Sequence, residues 1–133
     1  MILYITKAEI MEINDITREI IGCCIEIHKE LGPGLLESAY EECLAYELLN
    51  AGLSFERQKP IPIRYKKIAI EYGYRMDFVV ENQVVVELKS IEIISPVHTA
   101  QILTYMKFAE KEAGLLINFN VLLLKNGIKR FLI

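Results

Sequence analysis

Asp77, Glu87 and Lys89 are the residues whose types and spacing could do chemistry. They stand on two apolar runs, 74–80 and 84–89, which read as β-strands joined through Glu81-Asn82-Gln83. With a three-residue loop centred on Asn82, Asp77 faces Glu87 directly, the Cβ atoms about 4.5–5.5 Å apart. Side-chain alternation then places Arg75, Asp77 and Val79 on one face with Val85, Glu87 and Lys89. Tyr74, Met76, Phe78, Val80, Val84, Val86 and Leu88 take the other face, which is apolar. Two opposed carboxylates repel, and a fold gains no stability that way. A divalent cation reverses the sign of that interaction, and hard oxygen ligands favour Mg²⁺, with Mn²⁺ a plausible substitute, over zinc. Lys89 shares the face of Glu87, where its ammonium can hold or help deprotonate a water, or neutralise charge building on a phosphate. The reaction that fits such a group is attack of water on a phosphodiester.

A Glu-x-Lys triplet alone says little, because a Glu and a Lys on one strand face also make an ordinary surface ion pair. Asp77 in register, on strands too hydrophobic for a solvent edge, is what raises the signal. Two helical features point to the same place. Gly34, Glu37 and Tyr40 follow G-x-x-E-x-x-Y spacing, with Glu37 and Tyr40 neighbours on one helix face. Glu37 is a candidate further metal ligand, directly or through water; the plainer reading is an acid favoured by the positive end of a helix dipole. Gln101 and Tyr105 sit four apart on another helix, with His98 one turn earlier, and could orient a phosphate or the Glu-x-Lys backbone.

The elements that must hold these residues are legible in outline. A first helix is expected after the capping candidates Asn14 and Asp15, carrying Ile16, Ile20, Cys23, Ile27 and Leu31 at steps of three and four, and stopped by Gly32-Pro33-Gly34. A second runs from about Leu36 to Asn50 and ends at Gly52. Ile61, Ile63 and Tyr65 alternate beside Pro60 and Pro62, which predicts an edge strand, and 68–72 a short one. Ser95-Pro96 starts a third helix, with Gly114 just past its end. Strands are expected at about 115–118, 121–125 and 128–132, the last two joined by an Asn126-Gly127 hairpin turn. Helices, a β-meander, a helix and further strands predict a mixed sheet with helices packed on it.

Asp77 followed by Glu87-Leu88-Lys89, after a helical Glu37 and before a helix, resembles the PD-(D/E)XK phosphodiesterase superfamily. Gln101-x-x-x-Tyr105 is similar to the motif of its RecB-like branch. More specifically, Gly34-Leu-Leu-Glu37-Ser-Ala-Tyr40 after Ile27-His28-Lys29-Glu30-Leu31-Gly32 resembles the GxxExxY proteins. So do Leu115-Leu-Ile-Asn118-Phe119 and Asn126-Gly-Ile-Lys-Arg130. The resemblance spans roughly residues 14–132, and Met76 stands where the superfamily name has proline. It implies an α/β restriction-endonuclease-like core of order αβββαβ. It also implies Asp77 and Glu87 as Mg²⁺ ligands, a further ligand from the Leu88 carbonyl, Lys89 serving the attacking water, and supporting places for Glu37, Gln101 and Tyr105.

Composition bounds the rest. The chain of 133 residues is 53% hydrophobic, enough for one domain with its own core, and its mean hydropathy is +0.28. Either the sheet is covered on both faces or an apolar patch meets a partner, so a homo-oligomer is one expectation. Cys23, Cys24 and Cys43 lack metal-ligand spacing and read as small buried hydrophobes in a reducing compartment. The start, MILYITKAE, has the features of neither a signal peptide nor a membrane span, which predicts a cytoplasmic protein without a membrane partner. A net charge of −3 conceals an acidic first half and a basic second half. Arg57, Lys59, Arg64, Lys66, Lys67 and Arg75 could track the phosphates of a nucleic acid, DNA before RNA. The leading expectation is a Mg²⁺-dependent nuclease. The alternative is a non-catalytic module that keeps the fold and binds nucleic acid or protein.

Overall fold

The fold is that of a computed structural model, which describes residues 11–133; the reading of the amino-terminal segment falls on residues outside that range. Helix α1 (Ile13–Leu31) buries Ile16, Ile20, Cys23, Cys24 and Ile27, so its apolar stripe faces the core. It starts ahead of both expected caps, which lie inside its first turn. Glu12 occupies the cap position without a side-chain bond, while Asn14 accepts from Arg130 and Asp15 pairs with Arg18. Helix α2 (Glu37–Asn50) follows the turn at Gly32–Leu36 and buries Tyr40, Leu44 and Leu48.

Strands β1 (Phe55–Pro60), β4 (Arg75–Val80), β5 (Val84–Lys89), β6 (Ala113–Asn118) and β7 (Ile128–Leu132) form one sheet in the order β1-β4-β5-β6-β7. Strands β2 (Ile63–Tyr65) and β3 (Ile68–Ile70) form a separate hairpin between β1 and β4. Helix α3 (Pro96–Ala109) carries the chain from β5 to β6, which lie parallel, and the other pairs are antiparallel. From α2 onward, with the β2–β3 hairpin set aside, the order through β6 is αβββαβ. This is a mixed α/β restriction-endonuclease-like fold, as expected.

Both faces of the sheet are covered. Phe78, Val80, Val84, Val86, Leu88, Leu115 and Ile117 pack beneath α1 and α2, and Val79, Val85 and Leu116 pack beneath Ile102, Tyr105 and Met106 of α3. Cys23 and Cys24 lie in the first of these cores, where burial raises the Cys23 thiol to about 11 and Cys24 further still, so neither is a ready nucleophile. Among the described residues no helix is long and apolar enough to cross a membrane.

Four expectations are corrected. The sheet's edge strand is not the one expected at Ile61, Ile63 and Tyr65 but β1, Phe55–Pro60, largely polar and mostly exposed along its length, while Ile63–Tyr65 pairs only with β3. Ile61 then leaves the strand to bury itself under α3. Helix α3 ends at Ala109, with Glu110 supplying the left-handed residue at φ 56°. Gly114 therefore lies inside β6, where an added Cβ would come within 2.6 Å of the Met106 sulfur. No strand forms at 121–125, and Asn126-Gly127 is not a hairpin turn but the end of a 3-10 turn, Leu124–Gly127. Its glycine answers a close approach, since a Cβ there would lie 2.2 Å from the Asn118 carbonyl oxygen. Gly127→Ala is therefore expected to cost about 1–3 kcal/mol in a denaturant titration. Gly22→Ala, in the middle of α1 with open space around it, is expected to gain about 1 kcal/mol. Equal midpoints for the two variants would refute the close-contact argument.

Candidate functional site

The site lies where β4 and β5 part. Their ladder runs Val80↔Val84, Val79↔Val85, Phe78↔Val86 and then stops, one step short of Asp77 and Glu87. On the other side of β4, Arg57 pairs with Phe78 and Lys59 with Met76, but Gln58 has φ 49° and no ladder partner. Strict alternation breaks there. Met76 joins Val79 and Val85 under α3 instead of sharing the face of Phe78, and Tyr74 is exposed. The two acids are thus not a flat cross-strand pair.

They meet through an exchange with the backbone. The Leu88 amide donates to Asp77 Oδ2 at 2.8 Å, and the Asp77 amide donates to Glu87 Oε2 at 3.3 Å. These N–H groups serve carboxylates instead of strand carbonyls, because the ladder has opened. Glu87 is buried, and its Oε1 has no hydrogen-bond partner. Burial, and then the charge and side-chain hydrogen bonding of Asp77, raise the Glu87 carboxyl to about 9. Lys89 opposes this, as the smallest of these influences. An acid held protonated beside a second acid, with one oxygen unsatisfied, is a group arranged for a cation.

The remaining sequence candidates lie around this pair. Asp77 and Leu88 line a small cleft with Glu37, Ser38, Glu41 and Gln58. Glu37 accepts from the Ser90 amide at 3.3 Å, just beyond Lys89. Among the described residues no three of His, Cys, Asp or Glu form a ready metal cage, so Glu37 borders the acid pair without completing a triad of ligands. Tyr40 points elsewhere: its hydroxyl donates to the Gly32 carbonyl at 2.6 Å, accepts from the Leu35 amide at 3.2 Å, and its ring stacks on Phe119 at 4.2 Å. It holds the turn that delivers Glu37. On the other face lies Tyr105, whose hydroxyl is raised by burial first and then by the charge of Glu87, with Gln101 as an opposing influence. His98 turns back to the helix start, its Nδ1 accepting from the Ser95 amide at 2.9 Å.

Three neighbours were not read as site residues from the sequence. Gln58 donates to Glu41 at 2.6 Å and to Asp77 at 3.3 Å, tying α2 to the acid pair. Glu41 stands one turn beyond Glu37, the one hint that both face the strands. Asn118 is buried, donates to the Ile91 carbonyl at 2.9 Å and accepts from the Ile91 amide at 3.1 Å. It lies beside Lys89 in the parallel ladder, so it fixes the chain where it leaves the Glu-x-Lys strand.

An αβββαβ core with an acid pair and a lysine at the splay of its two central strands defines a restriction-endonuclease-like protein. The family model described as the PD-(D/E)XK nuclease superfamily matches residues 14–131, and the chain belongs to that superfamily. No curated protein and no solved structure matches it.

Proposed function

We propose that the protein is a Mg²⁺-dependent phosphodiesterase that cuts nucleic acid, with DNA the preferred substrate and Mn²⁺ a working substitute. The observation that carries this reading is Glu87 Oε1, a buried carboxylate oxygen without a partner beside a second carboxylate. Asp77 and Glu87 would hold the ion with the Leu88 carbonyl, and Glu37 is near enough to the cleft to act through water. A divalent cation bound there supplies charge neutralisation for the phosphate and makes water a stronger nucleophile at neutral pH. Lys89 stabilises charge on the reacting phosphate and orients the attacking water. Gln101 and Tyr105 would steady the complex from the α3 side. The turn stapled by Tyr40, with Glu37 one turn before it, supports placing the chain among the GxxExxY proteins. The Gln101–Tyr105 pair beside Glu87 supports the RecB-like branch. We place the activity in the cytoplasm.

That two carboxylates converge, and not three, favours one other reading, a module that binds nucleic acid without cutting it. The two separate in one assay. Purified protein with labelled DNA and Mn²⁺ is expected to cleave, and Lys89→Ala to cut about 10²–10³-fold more slowly while binding Mn²⁺ with unchanged heat. Cleavage equal in wild type and variant marks a contaminant and ends the nuclease reading.

A further inference from the structure

We infer that the β2–β3 hairpin is a stacking platform for single-stranded nucleic acid, feeding a frayed or unpaired strand to the acid pair. This inference rests on the nuclease reading and names the substrate that the site receives. The hairpin lies outside the main sheet, so the ladder does not need it. Its tip is Lys66-Lys67, with Lys66 at φ 52°, where Gly or Asn is the cheaper residue. Among the described residues no carboxylate pairs with Arg64, Lys66 or Lys67. Arg57 and Lys59, by contrast, are engaged by Glu41, Glu42 and Glu56.

Aromatic rings stand among these cations and face water. Tyr65 is 56% exposed, Tyr72 84% and Tyr74 44%, and Lys66 Nζ lies 5.3 Å from the Tyr65 ring centre. Solvent-facing tyrosines interleaved with free cations suit a chain of unstacked bases, whose faces a duplex hides. A cleft of about 650 Å³ continues from the hairpin along Arg64, Ile70 and Tyr74 to Arg75. Arg75, where the cleft ends, is two residues from Asp77 on the same strand. The cleft that begins at the platform thus ends on the strand that carries Asp77.

The test is fluorescence anisotropy with a labelled DNA oligonucleotide, single-stranded or annealed to its complement, in Ca²⁺. The single strand is expected to bind at least about tenfold tighter than the duplex. Tyr65→Ala/Tyr72→Ala should weaken it about tenfold per ring and leave duplex binding unchanged. Lys66→Ala/Lys67→Ala should lower the slope of log K against log salt by about 1.4. All four side chains are exposed on or just after the hairpin, and a thermal melt of each variant confirms that it is folded. Equal affinity for the two DNA forms, or folded tyrosine variants that bind like wild type, overturns the platform. If Mn²⁺-dependent cleavage persists in that case, the nuclease reading survives it. If hairpin-dependent binding occurs with no cleavage, the platform stands and the nuclease reading falls.

Discussion

Metal-free Glu87→Gln protein is expected to be more stable than wild type at pH 8 and to lose both Mn²⁺ binding and cleavage. The carboxyl titrates near 4.5 in an unfolded chain and near 9 in the folded one. Between these values the unfolded chain gives up the proton while the folded protein keeps it. Stability is therefore fully present below pH 4.5 and falls by about 1.4 kcal/mol per pH unit, levelling off above pH 9. Glutamine cannot ionise, so that slope should vanish, and its amide can donate to Asp77. Urea titrations in a chelator from pH 5 to 9 read this directly. Saturating Mn²⁺ should stabilise wild type by about 2.7 kcal/mol at a hundred times its Kd and leave Glu87→Gln unmoved. Cleavage should fall about 10²–10³-fold. The same pH slope in both proteins would show that Glu87 is not the buried acid described.

Tyr40→Ala should be the most damaging single change to the fold. It removes a fully buried ring stacked on Phe119 and both hydrogen bonds of the Gly32–Leu36 turn. The expected loss is about 3–5 kcal/mol, out of a typical total of about 5–15. Tyr40→Phe keeps the stack and removes only the hydroxyl, at about 1–3 kcal/mol. The damage reaches the site, because the Leu35 carbonyl accepts from Ser90 Oγ at 2.5 Å and Glu37 follows directly. Denaturant titrations of both variants would decide: Tyr40→Ala within about 1 kcal/mol of wild type contradicts the account, given the range for buried aromatic truncation.

What could be read from residues was whatever depended on periodicity. The helices around Ile16–Ile27 and Leu44–Leu48, and the strands through Phe78 and Val86, declare themselves because each buries a regular apolar face. The three-residue loop at Asn82 sets the correct register, so Asp77 and Glu87 do come together. Gln58 was illegible: a left-handed glutamine inside an exposed edge strand has no compositional sign, and across from it the alternation that put Met76 beside Phe78 is lost. The two misread glycines share one cause. Gly114 and Gly127 are glycines because a neighbour, Met106 or the Asn118 carbonyl, occupies the space of a Cβ, and a sequence does not show who its distant neighbours are. What Glu41, Gln58 and Asn118 hold in place was hidden for the same reason.

The packing of α1 and α2 on one side of the sheet and α3 on the other sorts charge as well as bulk. The first two helices carry Asp15, Glu19, Glu26, Glu30, Glu37, Glu41, Glu42 and Glu47 against only Arg18 and Lys29, whereas Arg64, Lys66 and Lys67 crown the hairpin. The molecule is thus an electric dipole of modest net charge. A polyanion meets a torque before it meets a contact, turning the acidic helices away and the hairpin side forward. Selection of the productive approach begins at a distance set by ionic strength, within about 8–10 Å of the surface in physiological salt.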